Sequence, residues 1–199
     1  MEKPGLRVLV TRPREDAESL IAALAIRAIE ALVEPLMEIH WQALEALNLA
    51  GVQAVLCTSA NGVRALARAS GERRAPLLAV GDATAARARA EGFDRVESAG
   101  GDVRDLARLA TARLRPENGP LLHVAGNVVA GDLAGLLCAR GFAVERRVLY
   151  EARAAAALST AAAMVTRRDL PFIGLSPSGS NNARDRSRAY SPARAGARG

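Results

Sequence analysis

The sequence predicts an α/β fold built on a parallel, doubly wound sheet. Short apolar runs recur along the chain, and each ends abruptly in small polar residues. A segment with apolar residues at helical spacing then follows, as in residues 54–66, which read AVLCTSANGVRAL. Strands that alternate with helices of this length are typical of parallel sheets covered by helices on both faces.

The elements can be assigned in chain order. Predicted strands cover residues 6–10 and 31–35, begin near Ala54, Leu77 and Leu121, and include shorter ones near Arg95 and over residues 144–148. The first helix is predicted over residues 15–27, with Leu20, Ile21 and Leu24 facing inward. Ala28 stands where a helix commonly ends in glycine, which indicates a local misfit. An extended connector is predicted over residues 36–41, and a further helix over residues 154–165.

The turns that follow four of these strands carry the functional prediction. They contain Thr11 and Arg12, Thr58 to Asn61, Gly81 to Thr84, and Gly126 with Asn127. In open α/β sheets the ligand crevice lies beyond the carboxyl ends of the strands. Helix amino ends there present unpaired N–H groups and a positive dipole, so we expect an anionic ligand. The alternative is that these residues only cap helices and form turns.

Composition narrows the function classes. The chain has 199 residues, of which 50% are hydrophobic and only 3% aromatic, and its net charge is +6. This charge favours acidic partners, but neither an aromatic platform nor a helix-turn-helix signal supports a nucleic-acid partner. Cys57 and Cys138 are too far apart to suggest a zinc site, and the chain lacks a dinucleotide fingerprint, so we expect no metal and no cofactor. Without a membrane span or a secretory signal in the sequence, we expect a soluble, cytoplasmic protein. We further expect it to be a monomer.

Several motifs together resemble the uroporphyrinogen-III synthase family. They are VLVTRP at residues 8–13, LCTSANG at 56–62, AVGDATA at 79–85, VAGN at 124–127 and VLYE at 148–151. Each motif alone is weak, but their order and spacing over residues 6–153 are specific.

The resemblance implies two flavodoxin-like (Rossmann-like) domains joined by a two-stranded connector, with the active site in the cleft between them. Domain 1 would combine residues 1–36 with residues 151–199, and domain 2 would cover residues 38–148.

The resemblance is expected to end after about residue 175. Ser176 to Gly179 are similar to a serine-containing turn of the family, but the following residues have almost no apolar content, so the tail 176–199 is expected to be disordered. We hypothesise a truncation or a frameshift of the coding sequence at this point, which would leave domain 1 incomplete and the enzyme impaired.

The implied reaction converts hydroxymethylbilane, a linear tetrapyrrole polycarboxylate, into uroporphyrinogen III with its last ring inverted. Tyr150 is the candidate general acid, because a phenol donates a proton while it is neutral at pH 7. The candidate substrate-binding residues are Thr11, Arg12, Thr58, Ser59, Gly81, Thr84, Gly126, Asn127 and Ser176. His123 lies within an apolar strand and is expected to be a core residue with its hydrogen bonds satisfied.

Two other functions stay open at this point. A non-catalytic, two-lobed anion-binding protein would share the polar turns, but it would bind an anion tightly without turning over hydroxymethylbilane. A nucleic-acid-associated protein acting through its basic tail would show salt-dependent binding that disappears when residues 176–199 are removed.

Overall fold

A computed structural model describes residues 6–42, 46–157 and 159. Its strands are β1 (Arg7–Val10), β2 (Glu30–Val33), β3 (Met37–Trp41), β4 (Ala54–Cys57), β5 (Leu77–Ala79), β6 (Val96–Ser98), β7 (Leu121–Gly126) and β8 (Val144–Ala154). Its helices are α1 (Arg14–Ala25), α2 (Ala60–Ala69), α3 (Asp82–Ala90), α4 (Val103–Arg113) and α5 (Leu133–Cys138).

Six strands form one sheet in the order β3-β8-β7-β4-β5-β6. Every neighbouring pair from β8 to β6 is parallel, and only β3 runs antiparallel, beside β8. The predicted α/β fold with a mostly parallel sheet is therefore confirmed. The carboxyl ends of β4, β5 and β7 meet at one edge of this sheet.

The sheet separates two apolar clusters, because successive strand residues point to opposite faces. Val55 and Cys57 of β4 pack with the helices α2 and α3 on one face, whereas Ala54 and Leu56 pack with α4 and α5 on the other. Every residue of β4, β5 and β7 is buried. This agrees with their sequences, which are apolar throughout except for His123 of β7, as is typical of central parallel strands.

The segment predicted as an extended connector is a strand. Residues 37–41 form β3, which pairs with residues 150–154 of β8 in register from Met37 opposite Ala154 to Trp41 opposite Tyr150. The helix predicted to begin at Ala154 is wrong in its first residues. Ala154 ends β8, and residues 155–157 and 159 are not helical. Pairing with β3 supplies the backbone hydrogen bonds that a helix would otherwise have satisfied.

The remaining predicted helix, at 158 and 160–165, lies outside the described residues, as does the tail 176–199. The division into two domains stays a prediction. β8 runs without interruption across residues 148–151, where the sequence motifs placed the domain boundary.

The amino-terminal unit consists of β1, α1 and β2. The two strands pair in parallel from Arg7 opposite Glu30 to Val10 opposite Val33, so the second strand begins and ends slightly before the predicted range. Helix α1 ends at Ala25 rather than residue 27, because Ala28 adopts a left-handed backbone with φ of 54°. The expected misfit at Ala28 is therefore present in the structure.

A buried arginine connects this unit to the large sheet. Arg64 of α2 is only 7% exposed. Its Nη2 lies 2.7 Å from Oδ1 of Asp16 in α1, and its Nη1 donates to Oδ1 of Asn61 at 2.5 Å. Because a buried guanidinium is costly without partners, the contact with Asp16 holds α1 against the amino end of α2, while Asn61 satisfies the same guanidinium from within α2.

Candidate active site

A cavity of about 730 Å³ opens at the carboxyl edge of the sheet. Its wall includes Thr58 and Ser59 after β4, Val80 after β5, residues 128–132 after β7, the first residues of α4, and Tyr150 of β8. Two residues of α5 and the two that follow this helix complete it: Gly135, Leu136, Ala139 and Arg140. The sequence predicts this edge, since ligand crevices of parallel sheets lie at the carboxyl ends of strands. The cavity has an apolar lining in Val103, Val128 and Leu136, with hydroxyl and charged groups placed among them.

Ser59 is fixed by its place at the start of α2. Its backbone is extended, and its Oγ accepts the N–H of Gly62 at 2.9 Å, so the side chain caps the helix. The small residue Gly62 suits this site because a Cβ there would lie 3.3 Å from the carbonyl oxygen of Val124. The cap fixes the position of the serine side chain on the cavity wall.

Tyr150 reaches the same point because of an irregularity in β8. Ala125 pairs with Val148, but Gly126 pairs with Tyr150, so Leu149 is an extra residue in the strand. Leu149 and Tyr150 consequently both contribute to the cluster that contains α2. Bulges of this kind redirect side chains at functional sites.

The two hydroxyl groups form a pair. The Tyr150 OH lies 2.9 Å from the Ser59 Oγ, and either atom can be the donor. Tyr150 is 8% exposed, and its ring lies 6.2 Å from the ring of Trp41, with an angle of 54° between the planes. The guanidinium of Arg68 lies 4.6 Å from the centre of the Trp41 ring on a cation–π contact. These neighbours fix the phenol in one orientation.

Gly126 and Asn127 hold Tyr150 in place. A Cβ on Gly126 would lie 2.7 Å from Cε2 and Cζ of Tyr150, so the ring rests directly on the glycine backbone. The N–H of Asn127 donates to the Tyr150 carbonyl at 3.2 Å, and its Oδ1 accepts the N–H of Ala152 at 3.0 Å. The N–H expected to bind a carboxylate at this turn is therefore already engaged. The turn also leads into a loop, not directly into a helix, because α5 begins only at Leu133.

The other predicted residues lie in different surroundings. Gly81 caps α3, and its carbonyl accepts the N–H of Ala85 at 3.0 Å. Thr84 is 6% exposed, on the buried face of α3. Thr11 and Arg12 follow β1 in the amino-terminal unit, where the Thr11 carbonyl accepts the N–H of Leu36 at 3.1 Å. Of the predicted residues that the structure describes, Thr58, Ser59 and Tyr150 line the cavity together. Ser176 lies outside the described residues.

One wall of the cavity was not predicted from the sequence. Asp102, Val103 and Arg104 belong to the start of α4, a helix that was not individually assigned. The sequence signal for the start of this helix is a pair of residues that cap it reciprocally. The Asp102 side chain accepts the N–H groups of Arg104 and Asp105, and the Asp105 carboxylate accepts the N–H of Asp102. Two carboxylates three residues apart before an apolar run are a recognisable helix start. The backbone N–H of Asp102 is the main reason that the pKa of Asp105 is lowered.

Cys57 and His123 are buried titratable groups that lie apart from the cavity wall. Burial raises the pKa of the Cys57 thiol to about 12, which makes it unreactive. His123 is 3% exposed, as expected of a core residue, but its Nε2 has no hydrogen-bond partner among the described residues, so the expectation of a satisfied histidine is wrong. Burial, and secondarily the charge of Arg146, lower the pKa of His123 to about 4.

Neither a metal cluster nor a membrane helix is found in the described part of the chain. No group of three or more histidine, cysteine or carboxylate side chains there is placed to hold a metal ion. None of the helices in those ranges has the length and apolar character needed to cross a bilayer.

Comparison with known proteins identifies the family. The model of the family described as Uroporphyrinogen-III synthase HemD matches residues 11–185, a range that includes Ser176. The fold is similar to that of uroporphyrinogen-III synthetase from Helicobacter pylori 26695, with 21% identity, a TM-score of 0.52, and coverage of 79% of this chain and 66% of that chain. A mutant uroporphyrinogen III synthase from the extremely thermophilic bacterium Thermus thermophilus is 19% identical with a TM-score of 0.49, over 76% of this chain and 64% of that chain.

This chain therefore spans less than two thirds of the length of either solved structure. No curated protein sequence matches it. The family model nevertheless covers most of the residues, including every strand-end turn that lines the cavity. The chain belongs to the uroporphyrinogen-III synthase HemD family.

Proposed function

We propose that this protein is a uroporphyrinogen-III synthase, a lyase that cyclises hydroxymethylbilane to uroporphyrinogen III in porphyrin and haem biosynthesis. Family membership supports the reaction. The observation that carries the proposal is the Ser59–Tyr150 hydroxyl pair on the wall of a cavity of about 730 Å³. A volume of this size fits the range of small-molecule sites.

The proposed reaction places few chemical demands on the protein. The hydroxyl of the substrate leaves as water and generates an electrophilic azafulvene. The last pyrrole ring attacks through its substituted carbon to form a spiro intermediate, which fragments and recloses with that ring inverted. The reacting carbons all belong to the substrate, so the protein must hold one curled conformation and protonate the departing hydroxyl.

The hydroxyl pair can supply that proton. The Ser59 Oγ already accepts the N–H of Gly62, and the two hydroxyl groups share one further hydrogen bond. Two hydroxyl groups carry two protons, and their mutual hydrogen bond uses one of them. One O–H therefore remains for the cavity, whichever oxygen is the donor within the pair. We assign Tyr150 as the general acid and Ser59 as its partner.

The remaining predicted residues take two kinds of role in this proposal. Thr58 contributes a hydroxyl on the cavity wall, while Gly126 and Asn127 act through Tyr150, whose ring and carbonyl they contact. Five further residues are proposed to bind the substrate on the basis of the sequence alone, since the cavity wall includes none of those that the structure describes. They are Thr11, Arg12, Gly81, Thr84 and Ser176.

The finer architectural and cellular predictions are part of the same proposal. The unit of β1, α1 and β2 belongs to a second flavodoxin-like domain, and the paired strands β3 and β8 are the connector, which their antiparallel ladder supports. We propose a monomer that works in the cytoplasm without a cofactor. Cys57 and Cys138 are both free thiols, as is usual in that compartment. Light scattering on the purified protein tests the monomer.

The experiment is an isomer assay with freshly prepared hydroxymethylbilane. Spontaneous closure gives uroporphyrinogen I, so isomer III above the level of a protein-free control reports the enzyme. Tyr150→Phe keeps the ring on Gly126 and removes only the hydroxyl, and general acid catalysis typically contributes about 10²–10⁴-fold. We expect the rate of isomer III formation to fall by about that factor, with little change in KM.

A matched variant removes a serine hydroxyl elsewhere. Ser98→Ala deletes a side chain that accepts the N–H of Gly100 at the end of β6, and we expect parental activity. A parent protein that yields no isomer III above the protein-free control would overturn the proposed function. Full activity in Tyr150→Phe would instead be consistent with the proposed reaction but would refute Tyr150 as its general acid.

A further inference from the structure

Two arginines lie on the cavity wall that the sequence did not predict. Arg104 is the second residue of α4, and Arg140 follows the end of α5. Both line the cavity that also contains Ser59 and Tyr150, and both are exposed. The helices that carry them pack against each other. Two arginines and the hydroxyl pair therefore share the wall of one cavity.

Arg104 is available for a ligand. Within the described ranges its side chain has no carboxylate partner, whereas Arg108, one turn further along α4, is paired with Asp105. The acidic groups of the wall are already used as helix caps. Asp102 accepts the N–H of Arg104 at 2.7 Å, and Asp132 accepts the N–H of Gly135 at 2.8 Å. The helix amino ends offset the charge of these capping carboxylates.

Among the described residues, Arg140 has one hydrogen-bond partner and so retains most of its donors. Its Nη1 donates to the carbonyl oxygen of Leu136 at 2.7 Å, which anchors the side chain at the end of α5. A guanidinium has five N–H donors in a planar fork, and this contact uses one. The anchored fork has the geometry that binds a carboxylate through two parallel hydrogen bonds.

We propose that Arg104 and Arg140 bind carboxylate groups of the ligand in this cavity and so hold it beside the hydroxyl pair. The identity of the ligand as a tetrapyrrole polycarboxylate rests on the proposed function. Recognition of carboxylates by these two arginines rests only on their place in the cavity and on their unused donors. The two arginines are substrate-positioning residues and take no part in proton transfer.

The test is a binding titration of the full chain with uroporphyrin III, a stable and fluorescent tetrapyrrole that carries eight carboxylates. We expect Arg104→Gln and Arg140→Gln each to weaken binding by about tenfold, or about 1.4 kcal/mol, and to reduce its dependence on salt. Arg104→Lys should restore part of the affinity, since it keeps the charge. Arg108→Gln is the matched control, because it removes an exposed cation from the same helix outside the cavity wall.

Turnover separates the two proposals. With hydroxymethylbilane, the glutamine variants should raise KM more than they lower kcat. If uroporphyrin binding depends on the two arginines but the parent forms no isomer III, the carboxylate site is supported and the proposed function is refuted. If the parent does not bind uroporphyrin, or if Arg104→Gln and Arg140→Gln bind it as tightly as Arg108→Gln does, the carboxylate site is refuted, whatever the turnover.

Discussion

The close contact between Gly126 and Tyr150 makes Gly126→Ala a sharp test of how the site is built. The new Cβ would lie 2.7 Å from Cε2 and Cζ of the ring and 3.0 Å from its hydroxyl oxygen. Carbon atoms pack best at about 3.5–4.0 Å, so the ring must move by roughly 1 Å. Gly126 is not among the glycines with positive φ, so the substitution adds only this steric conflict.

The displacement has two measurable effects. Overpacking of a buried site costs about 1–3 kcal/mol, and each kcal/mol lowers the Tm of a chain of this size by about 2–4 °C. The ring movement also breaks the 2.9 Å hydrogen bond between Tyr150 and Ser59, so we expect isomer III formation to fall together with stability. Thermal unfolding and the isomer assay measure the two effects on the same sample.

A double-mutant cycle isolates the cause. Tyr150→Ala removes the ring, so Gly126→Ala should then cost little, and the coupling free energy should be about 1–3 kcal/mol. Gly71→Ala is the control, because no atom of the described residues, apart from its chain neighbours, lies within 4 Å of the position that its new methyl group would take. It should leave both measurements unchanged. Equal costs of Gly126→Ala in the two backgrounds would refute the contact as the source of the effect.

Three further predictions concern stability. Burial lowers the pKa of His123 to about 4 in the folded protein. The free energy of unfolding should therefore be unaffected above pH 6.5 and fall by up to about 3 kcal/mol as the pH drops to 4. In urea titrations His123→Leu should lose this part of the pH dependence, and equal pH profiles of the variant and the parent would contradict the prediction. Asp16→Asn removes the carboxylate partner of the buried Arg64 and should cost about 1–3 kcal/mol; amide exchange should accelerate in β1 and β2 but not in β4, and uniform acceleration would argue against a local connection. Ala28→Gly relieves a left-handed alanine and should raise the free energy of unfolding by about 0.5–1 kcal/mol, whereas a lower Tm would disprove the strain.

Local patterns were sufficient for the parallel strands and for the position of Ser59, but not for its pairing with Tyr150. β4 and β7 are short apolar runs that end in small polar residues, so both their burial and the position of Ser59 follow from the sequence. Tyr150 was predicted to be a site residue because of its place in a motif that resembles the family. Its contact with Ser59 depends on a separation of 91 residues along the chain, which periodicity does not report.

The parts that were missed depend on long-range pairing or on weak local signals. β3 and the second half of β8 are strands because they pair with each other, although Glu38, Arg153 and their neighbours make both segments polar. Helix α4 was overlooked because arginine and alanine dilute its apolar face, and only its reciprocal cap marks the start. The sequence gives no signal for the unsatisfied nitrogen of His123. Whether that nitrogen finds a hydrogen-bond partner depends on which groups of other elements pack against the strand.

The extra residue in β8 also sets the phase of everything that follows it. Before Leu149, alternate residues such as Val144 face the cluster that contains α4 and α5; after it, Tyr150 faces the opposite cluster. Deletion of this leucine would move the side chains of residues 150–154 to the opposite faces of the sheet, unless the pairing register between β3 and β8 also shifted by one residue. The face of the sheet on which Tyr150 lies is therefore set by the number of residues in β8. One-residue insertions or deletions in this strand should consequently have larger effects than conservative substitutions.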